Sequence, residues 1–152
     1  MGVLLQPSLT STGVSEGGPY ARAMTLPVAP AIATEISLAY HIILEALNCG
    51  HGNEAHLASM LQMTIKTVLL GERSCVKLNE HVFDDARDGI VTCRRAGLRT
   101  GSWRLDPSGY KALCKVLVAY ERQLAVTPFY EYMLVHEDVN EWIVGRRSRE
   151  KP

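Results

Sequence analysis

The sequence has no excess of charge of either sign, because 16 aspartate and glutamate residues balance its 16 lysine and arginine residues. A dedicated nucleic-acid-binding protein usually carries a basic surplus, so electrostatic binding here would need a local patch. The chain also lacks an apolar run close to the roughly 20 residues that span a bilayer, and it lacks a secretory signal. We therefore expect a cytoplasmic protein with no membrane partner.

Catalytic signatures are equally scarce. The chain holds no nucleophile turn, no zinc-protease helix and no phosphate-binding loop. Its four cysteines (Cys49, Cys75, Cys93 and Cys114) form no CxxC pair and lie in or beside apolar stretches, which is typical of reduced core cysteines. We therefore expect a protein that is not an enzyme, and we assign no catalytic or cofactor-binding residue.

The nearest approach to a metal site is Cys49-x-His51-x4-His56. Cysteine and histidine are zinc ligands, but only three are present, and their spacing matches no closed structural site. A fourth ligand, His81 or Cys75, would have to come from the fold. We expect a turn with solvated histidines and assign no metal ligand.

Composition divides the chain into three parts. Residues 1–30 are rich in proline, glycine, serine and threonine, which predicts a flexible N-terminal arm. Residues 31–145 carry apolar side chains at helical spacing and are predicted to form one helical domain. Residues 146–152 form a short charged tail.

Five helices joined by short turns are predicted, which favours an all-α fold, a compact bundle. The first three cover residues 34–48, 54–70 and 79–96, the fourth begins at Asp106-Pro107, and the fifth runs from Thr127-Pro128 to Val144. Glycines at the predicted ends are Gly50, Gly71, Gly97 and Gly145. Gly89, inside the third helix, indicates a close helix crossing. The first helix is apolar on more than one side, so we expect it to be central.

A cluster of arginines surrounds the longest connection. This arginine segment comprises Arg94, Arg95, Arg99, Trp103 and Arg104. Guanidinium groups beside an aromatic plane suit phosphates or bases. Two alternatives stay open: a structural segment in which tryptophan anchors the loop and the arginines pair with Asp84, Asp85, Asp88 and Asp106, or a surface for a protein partner.

The fifth helix carries an unusual aromatic load. Phe129, Tyr130, Tyr132 and Trp142 cannot all fit one narrow stripe. A wide core contact is one interpretation, and a protein interface is the other, since aromatic residues are common interface anchors. The inner face is predicted to hold Phe129, Tyr132, Met133, His136, Val139 and Ile143.

Two segments carry a resemblance to known proteins. A-L-N-C-G-H-G-N-E-A-H-L at residues 46–57 and R-A-G-L-R-T-G-S-W-R-L-D-P-S-G at residues 95–109 resemble a group of small helical bacterial proteins. Such proteins are often carried by phages and mobile elements, and many bear the label of Fis-family transcriptional regulators. The resemblance spans residues 36–124 and implies a cytoplasmic accessory protein, with DNA binding as the activity that the label implies.

Taken together, these features favour a small non-enzymatic interaction or regulatory module. Its expected partner is another protein or a further copy of the same chain. The alternative is a nucleic-acid-binding transcriptional regulator that uses the arginine segment.

Overall fold

A computed structural model describes residues 18–150, and side chains as far as residue 145. Within this part the chain forms six α-helices and no β-strand, apart from two isolated bridges. The all-α bundle expected from the sequence is confirmed, with one more helix than the five predicted. The helices are α1 (Pro19–Thr25), α2 (Pro30–Cys49), α3 (Glu54–Arg73), α4 (Glu80–Thr100), α5 (Pro107–Val126) and α6 (Phe129–Glu150).

Most helix starts are fixed by the predicted capping residues. Asn53, Asn79 and Asp106 each accept a hydrogen bond from a backbone amide in the first turn that follows. There are two exceptions. The buried hydroxyl of Thr127 has no hydrogen-bond partner among the described residues, so it does not cap α6, and α2 begins at Pro30 rather than Thr34. Proline at the first helical position has a suitable φ and no amide hydrogen to leave unpaired, so the helix starts one turn earlier.

Of the glycines predicted to end helices, one does so and three do not. Gly50 adopts a left-handed conformation (φ 82°) at the end of α2, as predicted. Gly71, Gly97 and Gly145 lie inside α3, α4 and α6, and the left-handed residue after α4 is Gly101 (φ 78°). The first two of these helical glycines are buried, and at Gly97 contact with the ring of Trp103, not a helix end, accounts for the small residue.

The extra helix lies within the predicted arm. Residues 18–30 contain α1 and a short linker, in which Val28 is buried. The linker is held to the start of α6 by a hydrogen bond of 2.8 Å from the Phe129 amide to the Leu26 carbonyl oxygen, and by a bridge between Pro27 and Pro128. The ordered domain thus begins before residue 31, while residues 1–17 of the arm lie outside the described part.

The helix α3 lies at the centre of the bundle. It packs against α2, α4, α5 and α6, whereas α1 packs against α6. Its buried side chains include Met60, Met63 and Leu70. The tightest crossing joins α4 to α5, where a Cβ atom on Gly89 would lie 2.5 Å from the Cα atom of Gly109, so the predicted close approach at Gly89 is confirmed.

Candidate functional site

The arginine segment is anchored by its tryptophan. The half-buried indole of Trp103 lies so closely against Gly97 that a Cβ atom there would clash with the ring. Trp103 also forms an antiparallel bridge with Gly52. Both contacts require glycine, at Gly97 and Gly52. These two glycines therefore allow Trp103 to hold the loop against the bundle.

The four arginines do not form one site. Arg104 is attached to the domain, because its Nε donates a hydrogen bond of 3.2 Å to the Asn48 carbonyl oxygen at the negative end of α2. Arg94, Arg95 and Arg99 lie exposed on α4 and form no ion pair with any described residue.

The ion pairs expected for these arginines are absent from the described part of the chain. Asp84 and Asp88 instead lie 3.5 and 3.6 Å from the guanidinium of Arg87, on their own helix. The Asp106 carboxylate accepts a hydrogen bond of 2.8 Å from the Gly109 amide and caps α5. The pairing alternative is therefore wrong, whereas the tryptophan anchor is present.

The aromatic residues of α6 are divided between the core and the surface. Tyr132 is buried, 9% exposed, and stacks on Phe129 and His136 at centroid distances of 6.3 and 6.1 Å. It therefore belongs to the core contact and not to a surface, which corrects its assignment as an interface residue. Tyr130 and Trp142 are 42% and 46% exposed.

A groove that the sequence did not reveal lies beside Phe129. This apolar groove has a volume of about 600 Å³ between the α1–α2 linker and the start of α6. Exposed Leu26 and half-exposed Ile32 mark its rim, and buried Val28 marks its floor. Its lining residues are Ala23, Leu26, Pro27, Val28, Ala29, Pro30, Ile32 and Phe129. The signal in the sequence is the run of apolar residues around Pro27 and Pro30, which composition alone places in the arm.

A second exposed apolar feature is a stripe on α2, the helix whose first residues line the groove. Leu38 and Ile42 are 57% and 62% exposed and share one face of the helix, since they are four residues apart. Only Leu44 and Leu47 of this helix are fully buried. The prediction of a central helix is therefore wrong, because α2 packs on α3 and α5 by one side and leaves the other uncovered. We call Ala31, Glu35, Leu38, Ile42 and Glu45 the α2 surface.

Among the described residues, α2 is also the one helix long and apolar enough to cross a membrane, with a mean hydropathy of 1.2. Core helices and signal sequences meet the same criterion, so it carries little weight by itself.

The two glutamates of the α2 surface differ in how they are held. The Glu45 carboxylate accepts hydrogen bonds from Asn48 Nδ2 at 3.2 Å, Tyr110 Oη at 3.0 Å and the Cys49 thiol at 3.5 Å. These bonds, led by that from Asn48, lower the pKa of Glu45, while the bond to Glu45 raises the pKa of Cys49. Glu35, one turn before Leu38, is exposed and has no partner among the described residues.

An ionisable pair is enclosed between α3 and α6. Lys66 is 4% exposed, and its Nζ lies 2.9 Å from Nδ1 of His136. Burial lowers the pKa of Lys66, and burial together with the lysine lowers the pKa of His136. The neutral imidazole can therefore accept a hydrogen bond from the ammonium group, which would otherwise be buried without a partner.

No group of three or more metal-binding side chains occurs among residues 18–145. Cys49 donates its thiol hydrogen to Glu45, His51 is exposed, and His56 lies in the first turn of α3, where its amide is capped by Asn53. All four cysteines are free, but Cys49 and Cys75 are exposed, so the expectation that they lie in the core is wrong for these two and holds for Cys93. The expectation of solvated histidines holds for His51 but is wrong for His56, which is half-buried and whose Nδ1 is buried without a hydrogen-bond partner among the described residues.

Comparison with models of protein families, with curated proteins and with solved structures finds no match for this chain.

Proposed function

We propose that this chain is a small non-enzymatic protein-interaction module that binds its partner through the apolar groove and the α2 surface. The observation that carries the proposal is the exposure of apolar side chains at the rim of the groove and on the α2 surface. Leu26, Ile32, Leu38 and Ile42 are each about half exposed or more, although burial of such side chains is favourable. Exposed apolar side chains that cluster in this way commonly mark an interaction site.

Charge favours a protein over a lipid surface as the partner. Lysine and arginine are absent from residues 23–65, and the exposed charges on α2 are Glu35 and Glu45. Helices that lie on membranes usually carry basic residues on the polar face, because lipid head groups are often anionic. The opposite side of α2 is packed in the bundle core through Leu44 and Leu47.

The resemblance of residues 46–57 and 95–109 to mobile-element proteins adds a setting to this proposal. We propose a cytoplasmic accessory protein in which the two matching segments shape the domain. Residues 95–109 supply Trp103, and residues 46–57 supply the Gly52 against which it packs. The resembling segments therefore meet where the end of α2 contacts the connection between α4 and α5.

Site-specific photo-cross-linking in cells tests the proposal. A photoreactive amino acid replaces Ile42, and the matched control replaces Val91, which is 46% exposed on α4. We expect a polypeptide adduct from position 42 that is absent from position 91 and disappears when Leu38→Asp is added. The same adducts from both positions, or none from position 42, would refute a docking site on α2.

A second function is favoured by the three free arginines on α4. Exposed guanidinium groups without ion pairs are suited to phosphates, so nucleic-acid binding is the alternative. In a duplex titration at several salt concentrations, Arg94→Ala with Arg95→Ala would then weaken binding and reduce the salt slope by about one unit for each phosphate that is no longer neutralised. Unchanged binding in this variant would remove the arginine segment from consideration.

A further inference from the structure

A basic groove lies on the face of α5 that the bundle leaves uncovered. Four cations surround it: Lys111, Lys115 and Arg122 from α5, and Lys77 from the loop that precedes α4. The groove has a volume of about 430 Å³, and no acidic residue lines it. None of the four cations forms an ion pair with a described residue, although the whole chain has a net charge of zero. This local concentration of positive charge is therefore suited to an acidic partner.

The spacing of the cations indicates an elongated partner. Lys111, Lys115, Val118 and Arg122 follow four-, three- and four-residue steps and so share one stripe of the helix. The stripe extends over about 17 Å at a rise of about 1.5 Å per residue. A single small anion would reach only part of it, whereas a helix lying along α5 would meet all of it.

The floor of the groove favours a protein over a nucleic acid. Val118 is 45% exposed between the cations, and Val76, Ala119 and Cys114 complete an apolar strip. No aromatic ring lines the groove on which a base would stack. Apolar residues flanked by cations complement a helix that has apolar residues flanked by carboxylates.

The α2 surface is such a helix face. Glu35, Leu38, Ile42 and Glu45 follow three-, four- and three-residue steps, with carboxylates at the two ends and apolar side chains between them. The two carboxylate positions are about 15 Å apart along the axis. This length matches the basic stripe, so both ends of the α2 surface can lie opposite cations while the apolar centre covers Val118.

We propose that the α2 surface of one copy of this chain docks in the basic groove of a second copy. This inference rests on the proposed function, because it names the partner of the same α2 surface. The contact joins two different patches, so a docked pair keeps one free α2 surface on one copy and one free groove on the other. Such an interface closes into a ring or continues as an open chain.

A charge-exchange experiment in analytical ultracentrifugation tests the proposal. Glu35→Lys and Lys115→Glu each place like charges across the contact, and each variant alone is expected to associate about ten-fold more weakly than the wild type. An equimolar mixture of the two is expected to recover association, because the introduced lysine of one variant then meets the introduced glutamate of the other. The double variant in one chain is expected to recover it as well. Glu141→Lys and Arg87→Glu introduce the same changes of charge at exposed positions elsewhere and serve as controls.

The outcomes separate this inference from the proposed function. Weak single variants, a recovered mixture and inert controls support the docking of a second copy. A wild type that sediments as one chain of 16.8 kDa at all concentrations would overturn it, as would a mixture no stronger than its components. If the chain does not self-associate but cross-linking from position 42 captures a different polypeptide, the proposed protein-interaction function stands. Only the identification of the partner as a second copy is then wrong.

Discussion

The crossing of α4 and α5 offers a sharp test of the packing, through the substitution Gly89→Ala. The new Cβ atom would lie 2.5 Å from the Cα atom of Gly109. Carbon atoms in favourable contact are about 3.5–4.0 Å apart, so the two helices would have to separate by about 1 Å. The obstacle is backbone, which cannot move away by changing a rotamer.

The expected loss of stability follows from two opposing terms. Alanine is favoured over glycine inside a helix by about 1 kcal/mol. Overpacking a filled contact costs about 1–3 kcal/mol, and the upper end applies where backbone meets backbone. We therefore expect the free energy of unfolding to fall by about 2 kcal/mol and the melting temperature to fall by about 4–8 °C.

Gly71→Ala is the matched control, because Gly71 is also buried and helical. A Cβ atom there would be 3.4 Å from its nearest neighbours, Lys77 Cα and the Val76 carbonyl oxygen, which is close to ordinary contact. This variant should gain up to about 1 kcal/mol from helix propensity. Thermal unfolding followed by circular dichroism measures both variants. If Gly89→Ala is as stable as Gly71→Ala, the close crossing does not exist.

Three further predictions concern buried contacts. Lys66→Met removes a buried cation and should raise the free energy of unfolding at pH 7 by about 1–3 kcal/mol, as measured by urea titration. A decrease would contradict the burial of the ammonium group. The environment of His136 lowers its pKa below the usual 6.5, so the unfolded chain binds the proton more readily than the folded chain. The free energy of unfolding should therefore decline as the pH falls below 6.5. If it falls no more steeply in the wild type than in His136→Gln, this prediction is refuted. Gly97→Ala should displace the indole of Trp103 and shift its fluorescence to the red in a Trp142→Phe background, whereas an unchanged spectrum would show that the two residues do not touch.

The sequence predicted the helices and most of their starts because these depend on local chemistry. A capping side chain such as Asn53 or Asp106 bonds to amides two or three residues away, so the required information lies within one turn. The spacing of apolar residues likewise reports which side of a helix is covered. The all-α class followed from these local signals.

Glycines were harder to interpret because two different demands select the same residue. Gly50 and Gly97 both follow apolar helical stretches, but only the first adopts a positive φ. The second is required by the ring of Trp103, six residues later in the chain and on the other side of a turn. A contact of this kind is set by tertiary packing, which no local pattern encodes.

The candidate surfaces show the same difference between what local sequence patterns predict and what tertiary packing decides. The abundance of apolar residues in α2 is visible in the sequence, but Leu38 and Ile42 are exposed because none of the helices within residues 18–150 covers that side. Conversely, the helical spacing of α6 correctly predicts Tyr132 on the inner face, whereas the number of aromatic residues on this helix suggested a surface role that its burial excludes. Which side of an evenly apolar helix remains uncovered depends on the number and placement of its neighbours, and only the assembled bundle determines that.

A titration with fluorescent duplex and single-stranded nucleic acid, with light scattering on the same sample, tests the central claim most directly. The claim is that this chain binds protein through α2 and does not bind nucleic acid through the arginine segment. We predict no binding of nucleic acid at physiological salt, together with a scattering mass above 16.8 kDa that falls when Leu38→Asp and Ile42→Asp are introduced. Tight, salt-dependent binding of nucleic acid by a single chain, abolished in the Arg94→Ala and Arg95→Ala variant, would contradict the claim.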